Sequence, residues 1–237
     1  MFVTIIGRGH SGTRAISHTL TESGVYMGAE LNESGDLIPA DDLYSACRIM
    51  SKHVRYLGDN KWDFSPLHSM KINPEFVVLV NSYLESVIAS PAENKGWKLP
   101  ETMLIYPWIV RLFPEAKYIF WVRDPRDNIL GEHLTDDLLD FGIPYEKTEN
   151  LLERRAISWL YQFELYKATP RPKNLLEIRF EDFVLKHDET LEKIEAFLEI
   201  PLKKIEVRSS SVGRWKESGE FLDFPQLEEG LKVFSYK

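Results

Sequence analysis

Residues 7–14, Gly-Arg-Gly-His-Ser-Gly-Thr-Arg, carry the densest chemical signal in the chain. Gly7, Gly9 and Gly12 permit tight backbone turns, Ser11 and Thr13 bring hydroxyls, and Arg8, His10 and Arg14 bring positive charge or N–H donors. A glycine-rich loop that opens a helix presents unpaired backbone N–H groups together with the positive end of the helix dipole, and so forms an anion site. Gly7 and Gly12 have the spacing of the nucleotide-triphosphate loop GxxxxGK[ST]. Thr13 stands where that loop has lysine, and Arg14 where it has the hydroxyl that holds magnesium. The pattern suits a phosphate without the usual metal ligand; a plain strand-to-helix turn fits the same residues. A second cationic position is Arg123, in the run Arg123-Asp124-Pro125-Arg126-Asp127. Its planar fork of donors suits a phosphate, and an ion pair with Asp124 or Asp127 is the alternative.

Both positions need rigid elements behind them. Phe2, Val3, Ile5 and Ile6 form an apolar, β-branched run that reads as a buried strand. From Thr13 the apolar residues Ala15, Ile16 and Leu20 fall at helical spacing, as far as Gly24. Residues 25–27 read as a short strand, and 31–39 as a surface loop of turn-forming residues near the mouth of the site. Helices are expected over 41–57, over 74–89, after Pro100 with Met103, Leu104, Trp108, Ile109 and Leu112 inward, after the 123–127 run, over 150–168 and over 188–198. Residues 60–71 look irregular. Segment 116–122 is apolar on both faces, as a central parallel strand is, and 175–180 reads as a further strand. After Pro201 the chain looks polar and irregular to its end. Strands alternating with helices predict an α/β fold: one domain over 1–237, three-layer α/β/α, with a central parallel sheet and a P-loop-like turn. Ligands of such sheets bind beyond the carboxyl ends of the strands. The opening loop, Trp97-Lys98, Arg123–Asp127 and Glu181-Asp182 are therefore expected along one edge.

At 237 residues the chain can bury one sizeable core, and 43% hydrophobic with 28% charged content is ordinary for a soluble globular protein. A formal net charge of -8 argues against a nucleic-acid binder. The one cysteine, Cys47, excludes an internal disulfide and fits a reducing compartment, and no Cys/His cluster has metal-ligand spacing. Met1 leads straight into the first strand, and no apolar stretch approaches the roughly 20 residues of a membrane helix. The expectation is a cytoplasmic protein with no metal, no nucleic-acid partner and no membrane association.

Five segments in order resemble the sulfotransferases that use 3′-phosphoadenosine 5′-phosphosulfate (PAPS). IIGRGHSGTRAISHTL (5–20) is similar to the 5′-phosphosulfate loop, especially the heparan-sulfate type with its GTRA continuation. KGWKLPE (95–101) and AKYIFWVRDPRD (116–127) resemble the next segment and the strand-plus-arginine motif for the 3′-phosphate. IRFEDF (178–183) and VRSSSVGRWK (207–216) resemble downstream signatures. The resemblance implies sulfuryl transfer from PAPS to a hydroxyl or amine of a small-molecule or glycan acceptor, with no metal. By position, Arg8, Gly9, His10, Ser11, Gly12, Thr13 and Arg14 form the phosphosulfate loop, while Arg123 and Arg208, with Arg214 as a further candidate, hold the 3′-phosphate. The family has lysine at His10, serine at Gly131, and an arginine-lysine-glycine run at Arg208-Ser209-Ser210.

Lys98 stands where members carry a catalytic histidine or lysine, and Glu30 and Glu33 where glycan-sulfating members place a basic glutamate. Acceptor activation needs a proton acceptor within hydrogen-bond reach. An anion loop favours the charged imidazolium of His10, making it a donor to the phosphosulfate. Lys98 would need a strongly lowered pKa to act as a base. Among the carboxylates the expectation is Glu33, exposed by the Asn-Glu-Ser-Gly turn. A P-loop small-molecule kinase and a non-catalytic nucleotide-binding relative are the other readings.

Overall fold

The structure, a computed structural model, describes residues 1–236. Its strands are β1 (Phe2–Ile6), β2 (Arg55–Gly58), β3 (Lys61–Asp63), β4 (Lys95–Lys98), β5 (Lys117–Val122) and β6 (Leu175–Arg179). Its α-helices are α1 (Thr13–Glu22), α2 (Asp41–Ser51), α3 (Ser65–Ser69), α4 (Pro74–Tyr83), α5 (Glu85–Ala89), α6 (Tyr106–Leu112), α7 (Pro125–Asn128), α8 (Leu151–Ala168), α9 (Phe180–Leu185), α10 (His187–Leu198) and α11 (Pro225–Val233).

β4, β1, β5 and β6 form a four-stranded sheet in that order, and every pair in it is parallel. The alternation of side chains along β5 makes the layers. Tyr118, Phe120 and Val122 join one core with Leu43 of α2, Val80 of α4, Trp108 of α6 and Tyr161 of α8. Ile119 and Trp121 join the opposite core with Ile16 of α1, Phe183 of α9 and Ile194 of α10. Both faces of the strand are covered from Tyr118 on, which is why its sequence is apolar after Lys117.

Several expected elements are revised. Residues 25–27 form no strand beyond one bridge, Tyr26 to Lys95, and the short run Lys95–Lys98 is the edge strand instead. The helix expected over 41–57 stops at Ser51, because Gly58, Asp59 and Asn60 all take positive φ and close a β2–β3 hairpin. The helix over 74–89 divides at Leu84 into α4 and α5. Residues 100–105 wind as a 3₁₀ turn before α6, and the helix after Arg123 is a single turn, α7. The polar C-terminal stretch holds a helix, α11. It buries only Leu227 and Gly230, and Gly230 lies so close to the Trp159 indole that a Cβ there would sit 1.9 Å from the ring.

Candidate functional site

The loop between β1 and α1 lies at the carboxyl edge of the sheet, where the strand order places it between β4 and β5. Gly12 takes φ 83 immediately before α1, a backbone state that an L side chain rarely adopts. Thr13 and Arg14, first in α1, have N–H groups without intrahelical acceptors. Together with Gly9, His10, Gly12, Ser34, Asp36, Lys98, Pro100, Arg123 and His133 they line a cleft of about 370 Å³. Strand, loop and helix therefore expose an anion-binding concavity.

The loop is tied down from behind by residues that sequence reasoning missed. Asn128, fully buried, donates from Nδ2 to the Gly9 carbonyl at 3.0 Å and to Ser11 Oγ at 2.9 Å. Its Oδ1 accepts from Arg8 Nη1 at 2.7 Å. Arg8 also pairs with Asp136 at 2.6 Å, and Arg155 holds the other oxygen of Asp136 at 2.9 Å. The Arg8 guanidinium thus serves the fold and does not line the cleft, and the Ser11 hydroxyl is engaged with Asn128. Arg14 is exposed at the rim.

Arg123 leaves the end of β5 with its guanidinium nearly buried. Nη1 donates to the His10 carbonyl at 3.0 Å, and Nη2 to Asp127 at 3.1 Å and to the Ser211 carbonyl. The ion pair with Asp127 is thus formed. The Nε of Arg123 is buried without a partner. Asp127 also accepts from the backbone N–H groups of Gly213 at 2.8 Å and Trp215 at 2.7 Å, so the C-terminal segment is brought to Arg123. Its arginine side chains are not brought to the loop cleft. Arg208 is exposed, and Arg214 lines a neighbouring depression with Leu130, Ser210 and Glu217.

On the β4 side, Lys98 is 2% exposed and so is not a surface lysine. Its Nζ donates to the Ser34 carbonyl at 2.8 Å and to Asp36 at 2.5 Å, while burial lowers its pKa against the pull of Asp36. Neither Glu33 nor Glu30 lines the cleft, and both side chains are exposed. The reason is the Asn32 turn. Asn32 Oδ1 accepts from the N–H groups of Ser34 and Asp36, its Nδ2 donates to Asp36 at 3.0 Å, and Leu37 N–H bonds the Lys98 carbonyl at 3.0 Å. The turn carries Asp36 inward. An asparagine heading the loop was the legible signal, since its side chain caps the backbone two residues on.

Both histidines of the cleft are shifted toward the neutral form. Burial, reinforced by Arg8, His10 and Lys98, lowers the His133 imidazole to about 3. Burial also lowers His10, with the Glu132 carbonyl opposing and Arg8 and Arg123 assisting. Burial thus works against the imidazolium expected at His10.

Behind His133, Glu101 is a further buried group. Its Oε1 lies 3.6 Å from His133 Nε2, its Oε2 has no partner, and burial, with Asp36 adding to it, pushes the carboxyl up to about 7. A carboxyl raised on folding holds its proton more tightly in the folded state, so its contribution is complete below about pH 4.5 and is lost as the pH climbs to about 7. Glu101→Gln is expected to flatten that fall. Urea midpoints at pH 4.5, 6 and 7.5 measure it, and an unchanged slope refutes the assignment.

A family model described as the sulfotransferase family matches residues 3–204. The chain belongs to the sulfotransferase family. It is accordingly an enzyme that transfers a sulfuryl group. Among solved structures, the sulfotransferase domain from the curacin biosynthetic pathway shares 16% identity at a TM-score of 0.61, over 99% of this chain and 97% of that one. The sulfotransferase domain of the Synechococcus PCC 7002 olefin synthase shares 15% at 0.58, over 100% and 94%. Mouse sulfotransferase SULT7A1, complexed with PAP, shares 17% at 0.51, over 98% and 82%. At these identities the likeness is one of fold. No curated protein sequence matches the chain. No helix among the described residues is long and apolar enough to cross a membrane, and no cluster of potential metal ligands occurs among them.

Proposed function

We propose that this sulfotransferase takes its sulfuryl group from PAPS and transfers it to a hydroxyl or amine of a small-molecule or glycan acceptor, as a cytoplasmic enzyme. The observation that carries the donor assignment is the pairing of two anion positions on one edge. The loop and Arg14 lie at the start of α1, and Arg123, with its unpartnered buried Nε, lies at the end of β5. A nucleotide with phosphates at the 3′ and 5′ positions of its ribose would offer one to each. In this reading the N–H groups of Gly12, Thr13 and Arg14 with the Arg14 guanidinium hold the 5′ end, and Arg123 holds the 3′-phosphate. Arg208 and Arg214 do not line the cleft in which Arg123 lies.

The chemistry divides between the two sides of the cleft. Loop N–H groups and Arg14 oppose the negative charge that develops on the departing phosphate, the kind of fixed donor that lowers a barrier without reorganisation. Lys98, held by Asp36, adds a positive charge facing the transfer point. The mouse structure complexed with PAP is a relative of the same fold, and its ligand is the product this reaction would leave.

A thermal-shift series tests the donor. Adenosine 3′,5′-bisphosphate at about 100 times its dissociation constant should add about 2.7 kcal/mol to stability without magnesium. Stabilisation by ATP only when magnesium is present would assign the site to a kinase.

A further inference from the structure

His10 and Gly131 interlock. A Cβ on Gly131 would lie 2.5 Å from Cγ and 2.6 Å from Nδ1 of the His10 ring, so only glycine leaves room for the imidazole. Nε2 of the ring contacts the carbonyl oxygen of the next residue, Glu132. A carbonyl can only accept, so Nε2 carries the proton and the neutral ring presents Nδ1 as an open lone pair. No hydrogen bond to Nδ1 is formed among the described residues, and the ring lines the cleft with Asp36, Lys98 and Arg14. The other basic groups there are engaged. One oxygen of Asp36 accepts from Lys98 and the other from Asn32, while Nδ1 of His133 accepts from Thr135 N–H at 3.2 Å. Glu33 lies outside.

We propose that His10 is the proton acceptor of the transfer, fixed in the Nε2–H tautomer by the Glu132 carbonyl, with Gly131 kept small to seat its ring. The role rests on the sulfuryl-transfer reading. An acceptor hydroxyl gives its proton to Nδ1 as its oxygen bonds to sulfur. The bond from sulfur to the phosphate oxygen breaks, and its electron pair leaves with the bisphosphate. The imidazolium then releases the proton to water. The charged neighbours divide: Arg8 and Arg123 bear on the ring from the loop and β5 and favour its neutral form, with His133 edge-on, while Asp136 and the Glu132 carbonyl oppose them. With burial as the largest cause the ring is shifted toward its neutral form, the form a base needs.

Two variants and one spectroscopic readout test it. Long-range ¹H–¹⁵N spectra of histidine-labelled protein, titrated from pH 5 to 8, should show His10 as the Nε2–H tautomer with a pKa below 6.5. Gly131→Ala should displace the ring and abolish that signature. His10→Gln should bind adenosine 3′,5′-bisphosphate within about threefold of the unaltered protein by calorimetry. The same variant should transfer the sulfuryl group from PAPS to 2-naphthol, or to water, about a hundredfold more slowly, the range for loss of a general base. A doubly protonated ring at pH 7, or a tenfold loss of bisphosphate affinity with turnover kept, would make His10 an anion donor and overturn the proposal. Failure of the unaltered protein to bind the bisphosphate would instead remove the donor reading beneath it.

Discussion

Removing the carboxylate of Asp136 is expected to lower the free energy of unfolding by about 3–5 kcal/mol, the range for breaking a buried ion pair. One carboxylate here answers two guanidinium groups, Arg8 at 2.6 Å and Arg155 at 2.9 Å, and also accepts from His133 N–H at 2.9 Å. All three side chains are no more than 7% exposed. With alanine at 136 both arginines keep their charge, since guanidinium does not neutralise in this pH range, and neither has water to replace the lost partner. Asp136→Asn keeps the shape and some hydrogen bonding, so its loss should be smaller. Urea unfolding of the two variants gives the values. A loss below about 1 kcal/mol for alanine would mean that solvent reaches the arginines and that Arg8 is free to turn to the cleft.

Arg123→Ala is the second large effect, on ligand affinity. Losing a partly buried, charge-assisted contact with the 3′-phosphate should weaken adenosine 3′,5′-bisphosphate by about 2–5 kcal/mol. Adenosine 5′-monophosphate should also weaken, but by less, because Arg123 Nη1 steadies the loop through the His10 carbonyl. Arg123→Lys should fall nearly as far for the bisphosphate. A single ammonium cannot serve His10, Asp127 and a phosphate in the fixed geometry of a fork. Calorimetry with both nucleotides decides the matter, and equal weakening of the two would assign the arginine to the fold alone.

The central strands were legible because their chemistry is local. Val3–Ile6 and Tyr118–Val122 are covered on both faces, and apolar residues fill those positions except at the buried Thr4. The loop was legible for the same reason, since Gly12 is needed where φ is positive. What the sequence hid was set by distant partners. Lys95–Lys98 is too short and mixed to announce a strand, and it becomes one because β1 pairs with it. α11 holds its place with Leu227 and the seat of Trp159 on Gly230, a contact between residues far apart in the chain. That Asp36 lines the cleft while Glu33 does not is set by the Asn32 bonds within the turn. Asn128 and Asp136 gave no motif. Their importance lies in which loop atoms they meet.

The bonds from Asn128 to the Gly9 carbonyl and Ser11 hydroxyl are made entirely within the chain, and this has a kinetic consequence. A loop already shaped by its own protein has little conformational freedom left to lose when an anion arrives, so less of the contact energy is spent on ordering it. Nucleotides should then associate at similar rates, whichever phosphates they carry, because none must wait for the loop to form. Discrimination among them should appear in how long each stays, with residence time tracking the number of phosphates that Arg123 and the loop hold together.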